Sequence, residues 1–184
     1  MYFCVRLIAE NEKMKTEITI DRSKGAWLKG DEWEQLTGGL PVYRGFSRPL
    51  AQDKITIYAP ADRKPKNIPE AAHRIIDDWF LHRFGVRFRT QAVFGTGSLE
   101  KAIAHAGDDG EIGLISPNAE FAFCWSPQSY DLFGEYAQLT SDDQIADMLE
   151  SLQFSAENLE QAVMSGHEIM LACDSFTIER MRSI

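Results

Sequence analysis

The sequence predicts an α+β fold. Nine short stretches with period-two alternation, enriched in β-branched and aromatic residues, read as strands along the 184 residues. Four stretches carry helical spacing instead. They fall between strands without regular alternation, so a doubly wound parallel sheet is not the natural reading. No Gly-x-Gly-x-x-Gly follows a strand, and the Gly-Lys-Ser/Thr phosphate loop is absent. Phe94-Gly95-Thr96-Gly97-Ser98 comes nearest to a dinucleotide fingerprint, but lacks the third glycine and the later acidic residue.

Strands are expected at residues 2–8, 17–21, 40–43, 54–58, 88–94, 111–115, 120–125, 168–173 and 176–180. Pro69 opens the first helix as a first-turn proline, with Ala72, Ile75, Ile76, Trp79 and Phe80 on one face. Ser98 or Leu99 opens a second, through His105, which Gly107 stops. Ser141 and Gln144 match a capping box for a third, whose stripe is Ile145, Met148, Leu149 and Leu152. Ser155 begins a fourth that ends near Val163. Two stretches look irregular, 59–67 with Pro60, Pro65, Arg63, Lys64 and Lys66, and 126–134. The first reads as a solvated loop, with a phosphate patch as the alternative. Neither an internal repeat nor a low-complexity tract is evident, and residues 1–184 read as one domain.

Apolar residues make up 44% and charged residues 26%, enough for a packed core and too balanced for disorder. The net charge of −9 repels a phosphate backbone, so general nucleic-acid affinity is disfavoured unless basic residues cluster. No apolar run approaches the roughly 20 residues of a membrane helix, and no secretory leader is evident at the start. Cys4, Cys124 and Cys173 are odd in number, far apart and in apolar contexts, which suits reduced thiols in a cytoplasm. No metal site is expected, because His73, His82, His105 and His167 show no ligand spacing and Cys-x-x-Cys is missing.

Three groups could carry chemistry. Arg44 follows an alternating strand, where a guanidinium can grip a phosphate or a ribose through paired hydrogen bonds, and Gly45 lets backbone approach closely. Thr96 and Ser98 end another strand and begin a helix. Glu168 stands at the mouth of an apolar strand, where a fixed carboxylate can stabilise an oxocarbenium-like sugar. Each also has an ordinary structural role: a surface arginine, a helix cap at Ser98, a strand-end acid.

In their order and spacing these blocks resemble ADP-ribosyltransferases of the Arg–Ser–Glu type, which include bacterial toxins and phage enzymes. Val42-Tyr43-Arg44-Gly45 is similar to the strand bearing the NAD-gripping arginine. The stretch from Phe94 to Ala106, followed by 110–115, resembles the Ser-Thr-Ser strand, its helix and the next strand. Gly166-His167-Glu168-Ile169-Met170-Leu171, with Phe176-Thr177-Ile178 after it, resembles the catalytic strand and its hairpin partner. The resemblance spans roughly residues 40–181 and implies a split β-sheet core with flanking helices, with NAD between two small sheets. It implies NAD as substrate, Arg44, Gly45, Thr96 and Ser98 as NAD-binding residues, and Glu168 as the catalytic acid. The acceptor, protein or nucleic acid, is left open, and the setting is a cytoplasm, its own or a host's.

The chain departs from the family pattern at three points. Gly97 stands in place of the middle Thr, and Thr96 in place of the first Ser. Gly166 stands two residues before Glu168, where arginine-modifying members carry a second Glu that engages the acceptor. Asp174 is an alternative acid. A catalytically inactive binding or inhibitor module of the same fold is an alternative function. An acidic mimic of nucleic acid is a further one.

Overall fold

The computed structural model describes residue 23 and residues 25–59, 63–65 and 67–181. The expected strands at 2–8 and 17–21, and Cys4, lie outside the described residues. Among the described residues seven strands form one antiparallel sheet. They are β1 (Tyr43–Phe46), β2 (Lys54–Tyr58), β3 (Val93–Thr96), β4 (Glu111–Pro117), β5 (Ala122–Trp125), β6 (Glu168–Ala172) and β7 (Ser175–Arg180). Their order is β2-β7-β4-β1-β3-β6-β5. The two separate small sheets implied above are therefore joined into one ladder. They meet at a seam of one register pair, Tyr43↔Thr96, whereas β1 and β4 share four pairs and β3 and β6 share four.

Helices flank this sheet: α1 (Trp33–Leu36), α2 (Glu70–Phe84), α3 (Phe88–Gln91), α4 (Leu99–Ala106), α5 (Leu132–Tyr136), α6 (Ile145–Ser151) and α7 (Leu159–Ser165). None among the described residues is long and apolar enough to cross a membrane. The near-continuous apolar runs of β5 and β6 have a direct cause, burial on both faces. Ala122, Cys124, Met170 and Ala172 point into a core with α2 and α6. Phe123, Trp125, Ile169 and Leu171 point into a second core with Leu159, Ala162 and Val163 of α7. The buried thiols of Cys124 and Cys173 are free, and burial pushes the Cys124 thiol well above its ordinary range. The edge strand β2 alternates exposed and half-buried residues and carries Lys54, which pairs with Glu179 at 2.7 Å.

In α2 the buried face is Ala72, His73, Ile76, Asp77 and Phe80. Ile75, expected on that face, is 41% exposed. Phe80 is fully buried, with ring partners Trp79, Phe88 and Phe154 at 5.2, 5.8 and 4.9 Å. Burying such a ring contributes about 2–3 kcal/mol. Pro69 caps α2 from outside, its carbonyl accepting from His73 N–H at 2.9 Å.

Several boundaries differ from expectation for local reasons. Residues 88–94 are not one strand: α3 occupies the first four, and β3 starts at Val93. Asp77, twelve residues before Arg89, makes the difference. Its carboxylate accepts from the backbone N–H of Arg89 (2.8 Å) and Thr90 (3.3 Å), and from the Thr90 hydroxyl. These bonds satisfy the open N–H groups of a helical turn. Asp77→Ala removes the acceptor of the Arg89 N–H and two further bonds to Thr90, whose N–H keeps the Arg87 carbonyl at 3.1 Å, and a cost of about 2 kcal/mol is expected. Differential scanning calorimetry should show it as a fall in Tm of about 4–8 °C; an unchanged Tm would remove this explanation of α3.

The strand expected at 40–43 shifts to Tyr43–Phe46. The Ser141 capping box does not form. Gln144 instead accepts from Thr140 N–H and Oγ1, both at 3.0 Å, and a 3₁₀ turn at Asp142–Gln144 precedes α6. Ser155 pairs its backbone with Trp125 rather than opening a helix, and α7 starts at Leu159. Inside the expected irregular stretch 126–134, Asp131 caps α5 by accepting from Gly134 N–H at 2.7 Å.

Candidate functional site

The seam sets the site. Arg44 follows Tyr43 on β1, Tyr43 pairs with Thr96 on β3, and Thr96 pairs with Glu168 on β6. Residues so paired stand about 5 Å apart at their Cα atoms. Residues far apart in sequence therefore share one level across three adjacent strands. A cleft of about 260 Å³ opens there, lined by Arg44, Gly45, Thr96, Lys101, Tyr130 and Glu168 among others.

Arg44 donates from Nη1 to the Phe94 carbonyl at 2.6 Å, across the seam. Its Nε is buried and has no hydrogen-bond partner among the described residues. Burial lowers the Arg44 pKa, opposed by the nearby Glu168 charge. Gly45 serves a close approach, but of a helix. A side-chain carbon there would lie 2.2 Å from the Ala102 carbonyl oxygen and 2.7 Å from the Ala106 nitrogen. This bare strand segment lets α4 lie against β1 and form one wall of the cleft.

Thr96 is buried, and its hydroxyl is committed. It donates to the Gly166 carbonyl at 2.8 Å and accepts from Ser98 N–H at 3.1 Å. Through that bond it fixes the chain two residues before Glu168. Ser98 caps α4, its Oγ accepting from Lys101 N–H at 3.3 Å, and does not line the cleft. Gly166 ends α7 in the left-handed region at φ 66°, where a Cβ would also come within 3.0 Å of the Ser98 Cβ. Both constraints favour glycine at this position.

Glu168 keeps 24% of its side-chain surface exposed, toward the cleft. Its backbone N–H donates to the Tyr130 carbonyl at 2.8 Å. Its Oε1 accepts from Arg89 Nη1 at 3.2 Å, an ion pair with a half-buried partner. Burial pushes its carboxyl above the ordinary carboxylate range, and Arg89 opposes that push. Asp174, the alternative acid, is exposed on the β6–β7 turn. It lies six residues beyond Glu168, about 20 Å along an extended chain, and does not line the cleft.

Arg89, Lys101 and Tyr130 lie outside the residues the sequence singles out. Lys101 Nζ sits 3.7 Å from the Tyr130 ring centroid and donates to the Gly166 carbonyl at 2.9 Å. Tyr130 itself is 64% exposed at the rim. Lys101 carries a weak signal, since it falls three residues after Ser98 in a helix with the expected bounds. Arg89 carries none, because its contact depends on the cap from Asp77. Among the described residues no group of three or more His, Cys, Asp or Glu could hold a metal ion.

The cleft thus offers a carboxylate held between a strand end and an arginine, a buried guanidinium whose Nε–H has no partner among the described residues, and an aromatic rim. Such a set can counter developing positive charge on a bound group while holding an anionic part of the same molecule. Comparison with known proteins finds no matching family, no matching curated protein and no matching solved structure.

Proposed function

We propose that this chain is an NAD-dependent mono-ADP-ribosyltransferase, or an NAD glycohydrolase where water is the acceptor, built on an ADP-ribosyltransferase-like split β-sheet core. The supporting observation is the meeting of Arg44, Thr96 and Glu168 at one cleft on the seam between two half-sheets. The order of these strands also agrees with the family resemblance in the sequence. Buried, unpaired Cys124 and Cys173 suit a reducing cytoplasm, that of the producing cell or of a host.

In this reading the C–N bond between ribose and nicotinamide breaks. Its electron pair goes to the ring nitrogen and discharges the pyridinium. The ribose C1′ becomes cationic, and the Glu168 carboxylate stabilises that charge and holds a ribose hydroxyl. Arg44 grips a phosphate or the ribose. Water or a nucleophile of a protein or nucleic acid then attacks C1′ and loses its proton. Thr96 acts as a positioning residue, through Gly166, rather than as a ligand to NAD. Ser98 acts through the helix it caps, and Gly45 through the helix it admits.

A pH dependence follows from the raised Glu168 pKa. The ionised form is the active one, so the rate rises with pH through the folded-state pKa. The acid limb of kcat/KM for nicotinamide release should lie above the ordinary Glu value of about 4.3. A limb at or below that value contradicts the assigned role.

The Arg89–Glu168 ion pair and the committed Thr96 hydroxyl favour a second reading, a binding module that has lost the chemistry. One experiment separates them. The protein is incubated with adenylate-labelled NAD, with and without cell lysate, beside Arg44→Ala. Nicotinamide release or label transfer that disappears in Arg44→Ala supports the enzyme. Intact NAD with both proteins supports the module.

A further inference from the structure

Beside the cleft, and sharing Arg44 with it, lies a second cavity of about 400 Å³. Arg44, Arg63, Lys64, His73, Arg89 and Phe133 line it. Phe94 organises its three guanidiniums. Arg63 and Arg89 lie over its ring, at 4.5 and 4.8 Å from the centroid, and Arg44 binds its carbonyl. Flat guanidiniums stack well on such a ring, which orders them without neutralising them.

The local charge is unbalanced. Near these three cations stand Glu168, bound to Arg89, and Asp77, whose oxygens are taken by α3 and Thr90. Arg63 feels both neighbours: burial first, then Arg44 and Arg89, lower its pKa to about 10. His73 stays below its ordinary range, burial being the main cause and Arg89 and Arg63 adding to it. The Nε atoms of Arg44 and Arg89 are buried without a hydrogen-bond acceptor among the described residues. Buried donors are costly to leave unpaired, and clustered like charges repel. In a chain of net charge −9, so concentrated a positive pocket is a local exception.

We propose that this pocket is a phosphate-binding site that takes the pyrophosphate of a dinucleotide, with Arg63 and Arg89 as its principal ligands beyond Arg44. The identity of that dinucleotide as NAD rests on the function proposed above; the anion site itself does not. Arg63, in a stretch the sequence reads as a solvated loop, then holds a phosphate. Arg89 has two tasks, one N–H on Glu168 and others free for phosphate oxygens. Phosphate content also becomes a criterion of substrate choice, so nicotinamide riboside should be a poor substrate beside NAD.

The test is calorimetric titration of the full chain with inorganic pyrophosphate, in wild type and Arg63→Gln, with melting curves to confirm folding. Arg63 sits on a loop, and its loss leaves the cores untouched. Wild type should bind pyrophosphate, more weakly as salt rises. Arg63→Gln should bind it about tenfold more weakly or worse. Glu168→Gln, which removes the opposing carboxylate, should keep or strengthen it. No binding by wild type, or equal binding by Arg63→Gln, overturns the proposal. Pyrophosphate binding that depends on Arg63, with NAD never cleaved, keeps the anion site and removes the NAD-cleaving function. Cleavage of NAD without any pyrophosphate binding does the reverse.

Discussion

Glu168→Gln should lower the rate of nicotinamide release by about 100- to 1000-fold while the fold persists. The substitution is nearly isosteric, and the amide oxygen can still accept from Arg89. What it loses is the negative charge facing the ribose as the glycosidic bond breaks. A preorganised charge in a partly desolvated cleft acts more strongly than one in water, which is why one atom's change has so large an effect. NAD affinity should change little, because in the proposed function the gripping groups are Arg44 and its neighbours. A KM near wild type with a collapsed kcat is the expected pattern. An unchanged kcat would place the chemistry elsewhere.

Gly97→Ala should have the largest effect on stability. A Cβ at Gly97 would lie 1.9 Å from the Val163 carbonyl oxygen and 2.6 Å from its carbon, both backbone atoms of α7. No side-chain rotation relieves such a contact, so either the β3–α4 turn or α7 must move. A cost of about 3 kcal/mol or more is expected, read as an earlier midpoint in urea unfolding. The movement has a second consequence. The chain leaves α7 through Gly166, which Thr96 and Lys101 hold, and enters β6 at Glu168. Residual folded protein should therefore also lose activity. A midpoint equal to wild type would show that this junction yields more easily than its geometry allows.

Gly97 and Gly166 thus have packing reasons of their own. At these two glycines the chain packs α7 tightly against the β3–α4 turn.

Much of the fold is legible locally. Lys54–Tyr58 alternates cleanly because one edge strand faces solvent and core in turn. Leu99–Ala106 is bounded by a serine cap and a glycine stop that act within a few residues. The errors share a cause. Phe88-Arg89-Thr90-Gln91 alternates like a strand, but the carboxylate that coils it belongs to α2. Ser141 has the pattern of a capping box, but Gln144 turns to Thr140. Ile75 fits the apolar stripe of α2, yet it stays 41% exposed.

The site divides along the same line. Arg44 and Glu168 are visible because one follows and the other opens an apolar run. Their pairing through Thr96 depends on register between strands 50 or more residues apart, which local pattern does not encode. The hydroxyl of Thr96 is identifiable as a polar group at a strand end, but not its partner, the Gly166 carbonyl. Arg63 and Arg89 meet over Phe94 only once α2, α3 and β3 have packed.

The seam cleft as the seat of a nicotinamide dinucleotide is tested most directly by a crystal structure of Glu168→Gln grown with NAD. Electron density should show the nicotinamide-bearing ribose within hydrogen-bonding reach of residue 168 and a phosphate on the Arg44 guanidinium. A cleft empty at saturating NAD, or a dinucleotide bound on another face of the sheet, contradicts the account.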